Sequence, residues 1–296
     1  MFSFIKIISK NFKPWGFEGM SIYDVSIFFW KGLMEGAITT RASSLAFNFF
    51  LAFFPAIIFL FTLIPYIPVT GFQETLMELL GNVLPPSTNK IATETIEDIV
   101  KNPRGRLLSI GFVLTIYFAT NGVNSLIEAF NSSFHIRESR SLIFQRYMSL
   151  IIMIILTVML ILTIVILIVG RGYLNYLVTD DIISSDKLYV FSSIRFGLLS
   201  LMLYFGITLV FYLCPAKRTK WKWFSPGTLF SSIFIIITSL IFSFYINNFS
   251  QYNQIYGSIG TLIIILLWIY FNSIILLTGF ELNASIINAS TYKEKV

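Results

Sequence analysis

The feature that most constrains this chain is a long uncharged run, because no charged residue occurs between Lys222 and Glu281. An ionised side chain near the centre of a bilayer costs about 2.5–3.5 kcal/mol on insertion scales. A helix that crosses the hydrocarbon needs about 20 residues, so the run is long enough for two such helices. We predict two transmembrane helices here, joined by a turn at Gln251 to Gly260.

Composition extends this prediction to the whole chain. Hydrophobic residues make up 56% of the sequence and charged residues 12%, whereas soluble domains carry about 25% charged residues. Other apolar runs of suitable length precede the uncharged one. The sequence therefore predicts an all-α, polytopic membrane bundle of six transmembrane helices, at residues 42–64, 107–127, 147–170, 196–215, 227–247 and 260–282.

Three further stretches are amphipathic. Residues 1–13 alternate Phe and Ile with lysines and precede no cleavage site, which favours a basic helix on an anionic leaflet; a targeting arm is the alternative. Residues 21–38 look helical, with Ser21 and Asp24 near the start. They have helical apolar spacing with Lys31 and Glu35, and we place them at the interface. Residues 69–106 are predicted to form two short amphipathic helices, either an interfacial lid or a surface that binds a partner.

Orientation follows from the lysines and arginines, which favour the cytoplasmic side. Six spans put both termini on one side, and that side collects fourteen Lys and Arg residues against seven on the other. We therefore predict a cytoplasmic amphipathic segment at 1–40, a transmembrane domain at 41–290 with an outer insertion at 69–106, and a cytoplasmic tail at 291–296. The same rule explains the net charge of +6 without nucleic acid as a partner.

Polar residues inside the spans are the candidate site, since lipid offers them no hydrogen-bond partners. The predicted topology places seven of them at the cytoplasmic ends of spans 1, 2 and 6. We interpret them as the substrate-binding lining of a hydrated cavity, with Arg41 as the fixed cation and Glu128 or Glu281 as its partner. The alternatives are interhelical hydrogen bonding for the amides and interfacial snorkelling for the charges. The candidate residues are Arg41, Asn48, Asn121, Asn124, Glu128, Asn272 and Glu281.

Proline and glycine suggest local irregularities in spans 1 and 6. Pro55 lies inside span 1 and removes one backbone hydrogen bond, so we expect a kink, although membrane helices also tolerate proline without a functional reason. Gly257 and Gly260 stand where span 6 begins, and close packing against a neighbouring helix is their expected role.

Several kinds of chemistry are disfavoured by composition. The chain has one Cys, Cys214, and one His, His135, whereas zinc sites use three or four protein ligands. No Gly-Lys pair occurs, which excludes the phosphate-binding loop of P-loop nucleotide hydrolases. We therefore expect no catalytic residues, no bound metal and no cofactor, and any energy source would be an ion gradient or a separate protein.

Several segments together resemble those of a known family. They are Arg41–Phe47 with Phe53–Pro55, Asn124–Asn131 with Arg137–Arg140, Ser225–Gly227, Tyr256–Gly260, Trp268 and Gly279–Asn283. The family that they resemble is the YihY/BrkB membrane proteins, once labelled ribonuclease BN. The resemblance covers about residues 20–290, and Asn48 departs from it, because a Tyr or a similar residue is expected there. It implies a six-helix protein of the cytoplasmic membrane, and links proposed between members and envelope lipid export imply transport.

Taken together, these features favour a transporter or flippase for an amphiphilic or anionic envelope molecule, with membrane lipid as its surroundings or substrate. The alternative is a non-transporting protein of envelope structure or assembly, for which residues 69–106 would be the partner surface. A nuclease, as in the old family label, is disfavoured because the predicted cytoplasmic side offers no cluster of Asp or His that could hold catalytic metals. We expect that the protein is not an enzyme.

Overall fold

The computed structural model describes residues 13–14, 16–63, 104–133, 140–179, 188–216, 223–248 and 251–295. The described residues form α-helices, with short turns and bends beside some of their ends. In chain order the helices are α1 (Ile22–Glu35), α2 (Ile38–Leu63), α3 (Gly105–Asn131), α4 (Leu142–Thr179), α5 (Leu188–Leu213), α6 (Pro226–Asn248) and α7 (Gln251–Lys295).

Six of these helices, α2 to α7, contain a stretch that is long and apolar enough to cross a membrane. This confirms the all-α class and the six predicted spans. The predicted turn at Gln251 to Gly260 is wrong, because those residues form the first turns of α7 and α6 ends at Asn248. Glycine and serine are common inside membrane helices, so they do not end a helix there as they often do in water. The predicted insertion at 69–106 and the basic segment at 1–13 lie almost entirely outside the described residues.

The chain divides into two compact units, Met1–Phe47 with Val123–Val296, and Asn48–Gly122. The core of the first unit holds three aromatic rings from three helices. The Phe130 ring of α3 stacks on the Phe280 ring of α7 at a centroid distance of 4.1 Å, and Phe211 of α5 meets both rings edge-on. The mutual packing of these three large rings stabilises the contact between α3, α5 and α7.

Helices α6 and α7 pack closely and run antiparallel in the first unit. Gly227 and Gly279 face each other, and a Cβ on either glycine would overlap backbone of the other helix. The side chain of Asn283 fixes the register, because its Oδ1 accepts from Gly227 N at 2.8 Å and its Nδ2 donates to Ser225 Oγ at 2.9 Å. Small residues let the two backbones approach, as in many membrane helix pairs.

Helix α1 packs on the last part of α7. Its start is capped by Ser21, whose Oγ accepts from Asp24 N at 3.1 Å, as the sequence indicated. Val25 and Met20 are buried against Ile286 and Ala289 of α7. The opposite face of α1 leaves Trp30 and other large apolar side chains exposed, and its placement at the membrane interface stays a prediction.

The second unit contains the rest of α2 and α3, which also run antiparallel. The Phe49 ring packs against Gly122, and Phe59 packs against Gly111 ten residues further along α2. The Phe59 and Phe112 rings lie 5.4 Å apart between centroids. A Cβ at either glycine would be in tight contact with the facing phenylalanine, so glycine permits this helix spacing.

Candidate functional site

A buried ion pair joins two distant parts of the first unit. Nη2 of Arg41, in the first turns of α2, donates to Oε1 of Glu281 in α7 at 2.8 Å. The side chain of Arg41 is 8% exposed and that of Glu281 is 0% exposed. Charged side chains are almost never this buried unless they are paired. The pair therefore lies within a packed helix contact and not on the wall of an open cavity.

The end of α3 explains why Arg41 can be buried here. Its Nη1 donates to the carbonyl oxygen of Ala129 at 2.7 Å. Because α3 ends at Asn131, this carbonyl is one of the last four of the helix, which have no partner within it. The C-terminal end of a helix also carries partial negative charge, which favours a cation. Arg41 thus neutralises Glu281 and caps α3 with one guanidinium group.

Glu281 divides its two carboxylate oxygens between two partners. Oε1 accepts from Arg41, and Oε2 accepts from Ser133 Oγ at 2.9 Å, just after the end of α3. The ion pair is therefore monodentate. In consequence Nε of Arg41 is buried and has no hydrogen-bond partner among the described residues.

The corner between α1 and α2 lies against the pair. A Cβ on Gly36 would come within 2.7 Å of Arg41 Nη2 and 3.3 Å of Glu281 Oε1, so a glycine is needed at this close approach. The next residue, Ala37, has φ of 45°, in the left-handed region that non-glycine residues rarely adopt. A Cβ on Gly36 would also overlap the carbonyl oxygen of Gly32, so both the end of α1 and the ion pair require glycine at this corner.

The depth of the pair follows from its neighbours on α7. Asn283 contacts the first turn of α6, which begins at Pro226. Glu281 is two residues earlier, which corresponds to about 3 Å along the helix axis. The pair therefore lies level with the start of the α6 span, away from the centre of that span, where burial of charge costs most.

A second polar cluster connects α3 to α4. Nδ2 of Asn124 donates to Glu128 Oε1 at 2.6 Å, and Ser149 Oγ of α4 donates to Asn124 Oδ1 at 3.3 Å. Glu128 is exposed, whereas Asn124 and Ser149 are buried. Of the two carboxylates suggested as partners of Arg41, the structure therefore pairs Glu281 and leaves Glu128 in this separate cluster.

The remaining candidate residues lie elsewhere. Asn272 is nine residues before Glu281 on α7, about 14 Å along the axis. Its Nδ2 donates to Trp268 O at 2.7 Å, and its buried Oδ1 has no partner among the described residues. Asn48 and Asn121 belong to the second unit. The shared cavity of the seven residues and their role in substrate binding stay predictions.

The proline and the two glycines all lie inside helices. Pro55 is buried within α2, which continues on both sides of it, and the expected kink stays a prediction. Gly257 and Gly260 lie in the first turns of α7, and Gly260 is buried. Their packing role also stays a prediction.

Side chains also close the end of α5. Oδ1 of Asn131 accepts from Ala216 N at 2.8 Å, and Arg140 Nη2 donates to Cys214 O at 2.7 Å. Like Arg41, these groups satisfy backbone polar atoms beyond a helix end, where the helix itself offers no partner. Polar residues at this end of the first unit therefore connect successive helices.

Cys214, just beyond the last turn of α5, is expected to resist alkylation in the folded protein. Burial raises the pKa of its thiol, and the nearby Arg140 lowers it by less. The reactive species is the thiolate, so at pH 7 to 8 the thiol stays protonated and shielded. N-ethylmaleimide labelling followed by mass spectrometry should show slow modification in mild detergent and complete modification after denaturation. A Tyr292→Cys variant, at an exposed position, is the reactive control; rapid native labelling of Cys214 would contradict the buried placement.

No group of three His, Cys, Asp or Glu side chains that could hold a metal ion occurs in the described segments. His135 lies outside them. Sequence reasoning missed two contributors to the site, Gly36 and Ser133, and no spacing pattern in the sequence pointed to either of them.

Comparison with known proteins gives one consistent result. The family model described as virulence factor BrkB matches residues 29–296. The ribonuclease-like protein YfkH of Bacillus subtilis (strain 168) is 30% identical over 246 residues, which is 83% of this chain and 88% of YfkH. The UPF0761 membrane protein NTHI0384 of Haemophilus influenzae (strain 86-028NP) is 27% identical over 270 residues, 90% of this chain and 96% of that protein. No solved structure matches the chain.

Proposed function

This chain belongs to the BrkB family of integral membrane proteins, and we propose that it carries an anionic amphiphile of the envelope across the membrane. The observation that carries the proposal is the buried Arg41–Glu281 pair, which joins α2 and α7 at the end of α3. In this proposal Arg41 binds the anionic group of the substrate, and Glu281 forms the ion pair with Arg41 when no substrate is present.

The arrangement supports a gate better than a permanently open channel. Both charged side chains are buried, so a substrate reaches Arg41 only when the helices move apart. An anion that binds Arg41 replaces the charge of Glu281, which keeps the guanidinium neutralised during that movement. The substrate anion would bind Arg41 only in the open conformation, in which Glu281 has released it. A ligand that binds one of two conformations more strongly shifts the equilibrium toward that conformation.

Orientation is part of the proposal. The excess of Lys and Arg on the side of the termini supports a cytoplasmic position for both of them in the cytoplasmic membrane. The ion pair would then close the cytoplasmic end of the pathway. We further propose that the chain catalyses no chemical reaction; the ribonuclease-like name belongs to YfkH, and the Arg41–Glu281 site presents no metal-binding carboxylate cluster.

A second function is favoured by the same contacts. The side chains that connect α3, α5 and α7 would also suit a rigid protein of envelope assembly that transports nothing. In that case Arg41 and Glu281 only hold helices together, and a well-packed apolar pair could replace them without loss of function.

A vesicle assay distinguishes the two functions. The full chain is reconstituted into liposomes with a fluorescent anionic phospholipid, and its movement between leaflets is followed by quenching from outside. We expect wild-type protein to accelerate the movement and the double variant Arg41→Met/Glu281→Leu, which keeps the volume but removes the charges, to behave like empty vesicles. Equal rates for wild type and double variant would contradict the gate, and no acceleration by either would favour the assembly protein.

A further inference from the structure

We propose that the substrate group bound at Arg41 is a phosphate, held between the free edge of the guanidinium and the hydroxyl of Ser285. This inference deepens the proposed function and rests on it. It starts from two buried donors that the resting structure leaves unused. Arg41 Nε and Ser285 Oγ both have no hydrogen-bond partner among the described residues. An unmade hydrogen bond of a buried polar group costs about 1–3 kcal/mol, so two of them, one on Arg41 and one a helical turn from its partner Glu281, require an explanation.

The geometry of the guanidinium shows what is missing. Nε and Nη2 form one edge of the planar group, and this edge matches two oxygens of a carboxylate or phosphate. Glu281 uses only Nη2, because its second oxygen accepts from Ser133. The edge is thus half occupied by a carboxylate that is held away from bidentate pairing.

The proposal places the Ser285 hydroxyl beside this edge. Ser285 follows Glu281 by one helical turn on α7, and helical side chains lean toward the N-terminus of their helix, in this case toward Glu281. Ser285 is fully buried, like Glu281. A serine in a membrane helix ordinarily donates to the carbonyl four residues earlier, as Ser273 does to Ile269 on the same helix. Ser285 makes no such bond, so its hydroxyl stays available.

A tetrahedral oxyanion fits these donors better than a carboxylate does. It can accept from Nε and Nη2 with two oxygens and from Ser285 with a third, whereas a carboxylate has only two oxygens. When the anion takes Nη2, the Glu281 carboxylate keeps the Ser133 hydroxyl as a partner. Phosphate is available as a lipid headgroup and as a free ion, and the chemistry at the site is the same for both.

The test measures binding to the full chain in micelles of a phosphate-free maltoside detergent. The probes are dioctanoyl phosphatidic acid, octanoate as a carboxylate amphiphile, and inorganic phosphate, and Kd is measured by native mass spectrometry or calorimetry. Ser285→Ala is expected to weaken phosphatidic acid binding about tenfold, as for loss of one hydrogen bond to a charged group. Ser273→Ala is the matched control, because that buried hydroxyl is already bonded within α7, and it should bind as wild type does.

The outcomes separate cleanly. Stronger serine-dependent binding of phosphatidic acid than of inorganic phosphate assigns the site to a lipid headgroup, and the reverse order assigns it to the free ion. Wild-type affinity in Ser285→Ala, or binding of octanoate as strong as that of phosphatidic acid, overturns the proposal. So does a lower Tm of Ser285→Ala, because it would mean that the hydroxyl has a partner in the resting protein. If Ser285→Ala binds normally while lipid still moves in the vesicle assay, only the phosphate site fails; if Ser285-dependent binding occurs without lipid movement, only transport fails.

Discussion

Replacing Arg41 by alanine is expected to lower the free energy of unfolding by about 3–5 kcal/mol, the cost of breaking a buried ion pair by removing one partner. The loss has two sources. The Glu281 carboxyl is left fully buried without its cationic partner and with Ser133 as its other hydrogen-bond partner, and the carbonyl of Ala129 loses its donor at the end of α3. The measurement is reversible unfolding in mixed micelles with increasing sodium dodecyl sulfate.

Two variants make this prediction specific. The double variant Arg41→Met/Glu281→Leu should unfold within about 1 kcal/mol of wild type or be more stable, because replacing a buried pair by apolar residues is often neutral or stabilising. Arg106→Ala, at an exposed position of α3, should change stability by less than about 0.5 kcal/mol. A similar small effect for Arg41→Ala would show that the pair is solvated and not buried.

This prediction also decides how function should be tested. A loss of transport in Arg41→Ala has two explanations, since the variant loses both an anion-binding group and much of its stability. The charge-free double variant loses the anion-binding group but is expected to keep its stability. It is therefore the variant in which a transport defect can be assigned to chemistry at the site.

The second large effect is expected at the contact between α6 and α7. In Gly279→Ala the new Cβ would overlap Ser231 Oγ and approach the carbonyl oxygen of Gly227. A serine side chain can rotate, but the facing backbone cannot move without separating the helices. Overpacking of this kind costs about 1–3 kcal/mol, and the Asn283 contacts that fix the helix register should weaken as well.

Gly197→Ala in α5 is the matched control. A Cβ at Gly197 would meet no atom within 4 Å, and the position is exposed. Alanine favours a helix over glycine by about 0.8–1 kcal/mol, so this variant should be as stable as wild type or more so. Thermal unfolding followed by intrinsic fluorescence compares the two. Equal Tm values for Gly279→Ala and Gly197→Ala would falsify the close packing of α6 on α7.

Much of the fold could be predicted from the sequence. The absence of charge over long runs indicated the membrane helices, and Ser21 with Asp24 indicated the start of α1. These signals are local, since each depends on residues within one helix and on their transfer into lipid. The turn predicted at Gln251 to Gly260 is wrong. Glycine often ends helices in water, whereas Gly257 and Gly260 lie inside α7.

The candidate site could be predicted only in part. Helical periodicity placed Asn124 and Glu128 on one face, and they bond to each other within α3. The same periodicity could not choose between Glu128 and Glu281 as the partner of Arg41. That choice joins residues 240 positions apart and depends on the rotation of three helices about their axes.

By itself, then, the sequence determined that this protein is a six-span membrane bundle and which residues are too polar for lipid. The free energy of transferring a helix into hydrocarbon is a sum over its own consecutive residues, so it can be estimated from the sequence. Only the tertiary structure decided that Arg41 meets Glu281 and a helix end, that Gly36 lies against them, and that Ser285 keeps an unused hydroxyl. Those contacts arise where packed helices meet, and the distances that control them have no counterpart in sequence spacing.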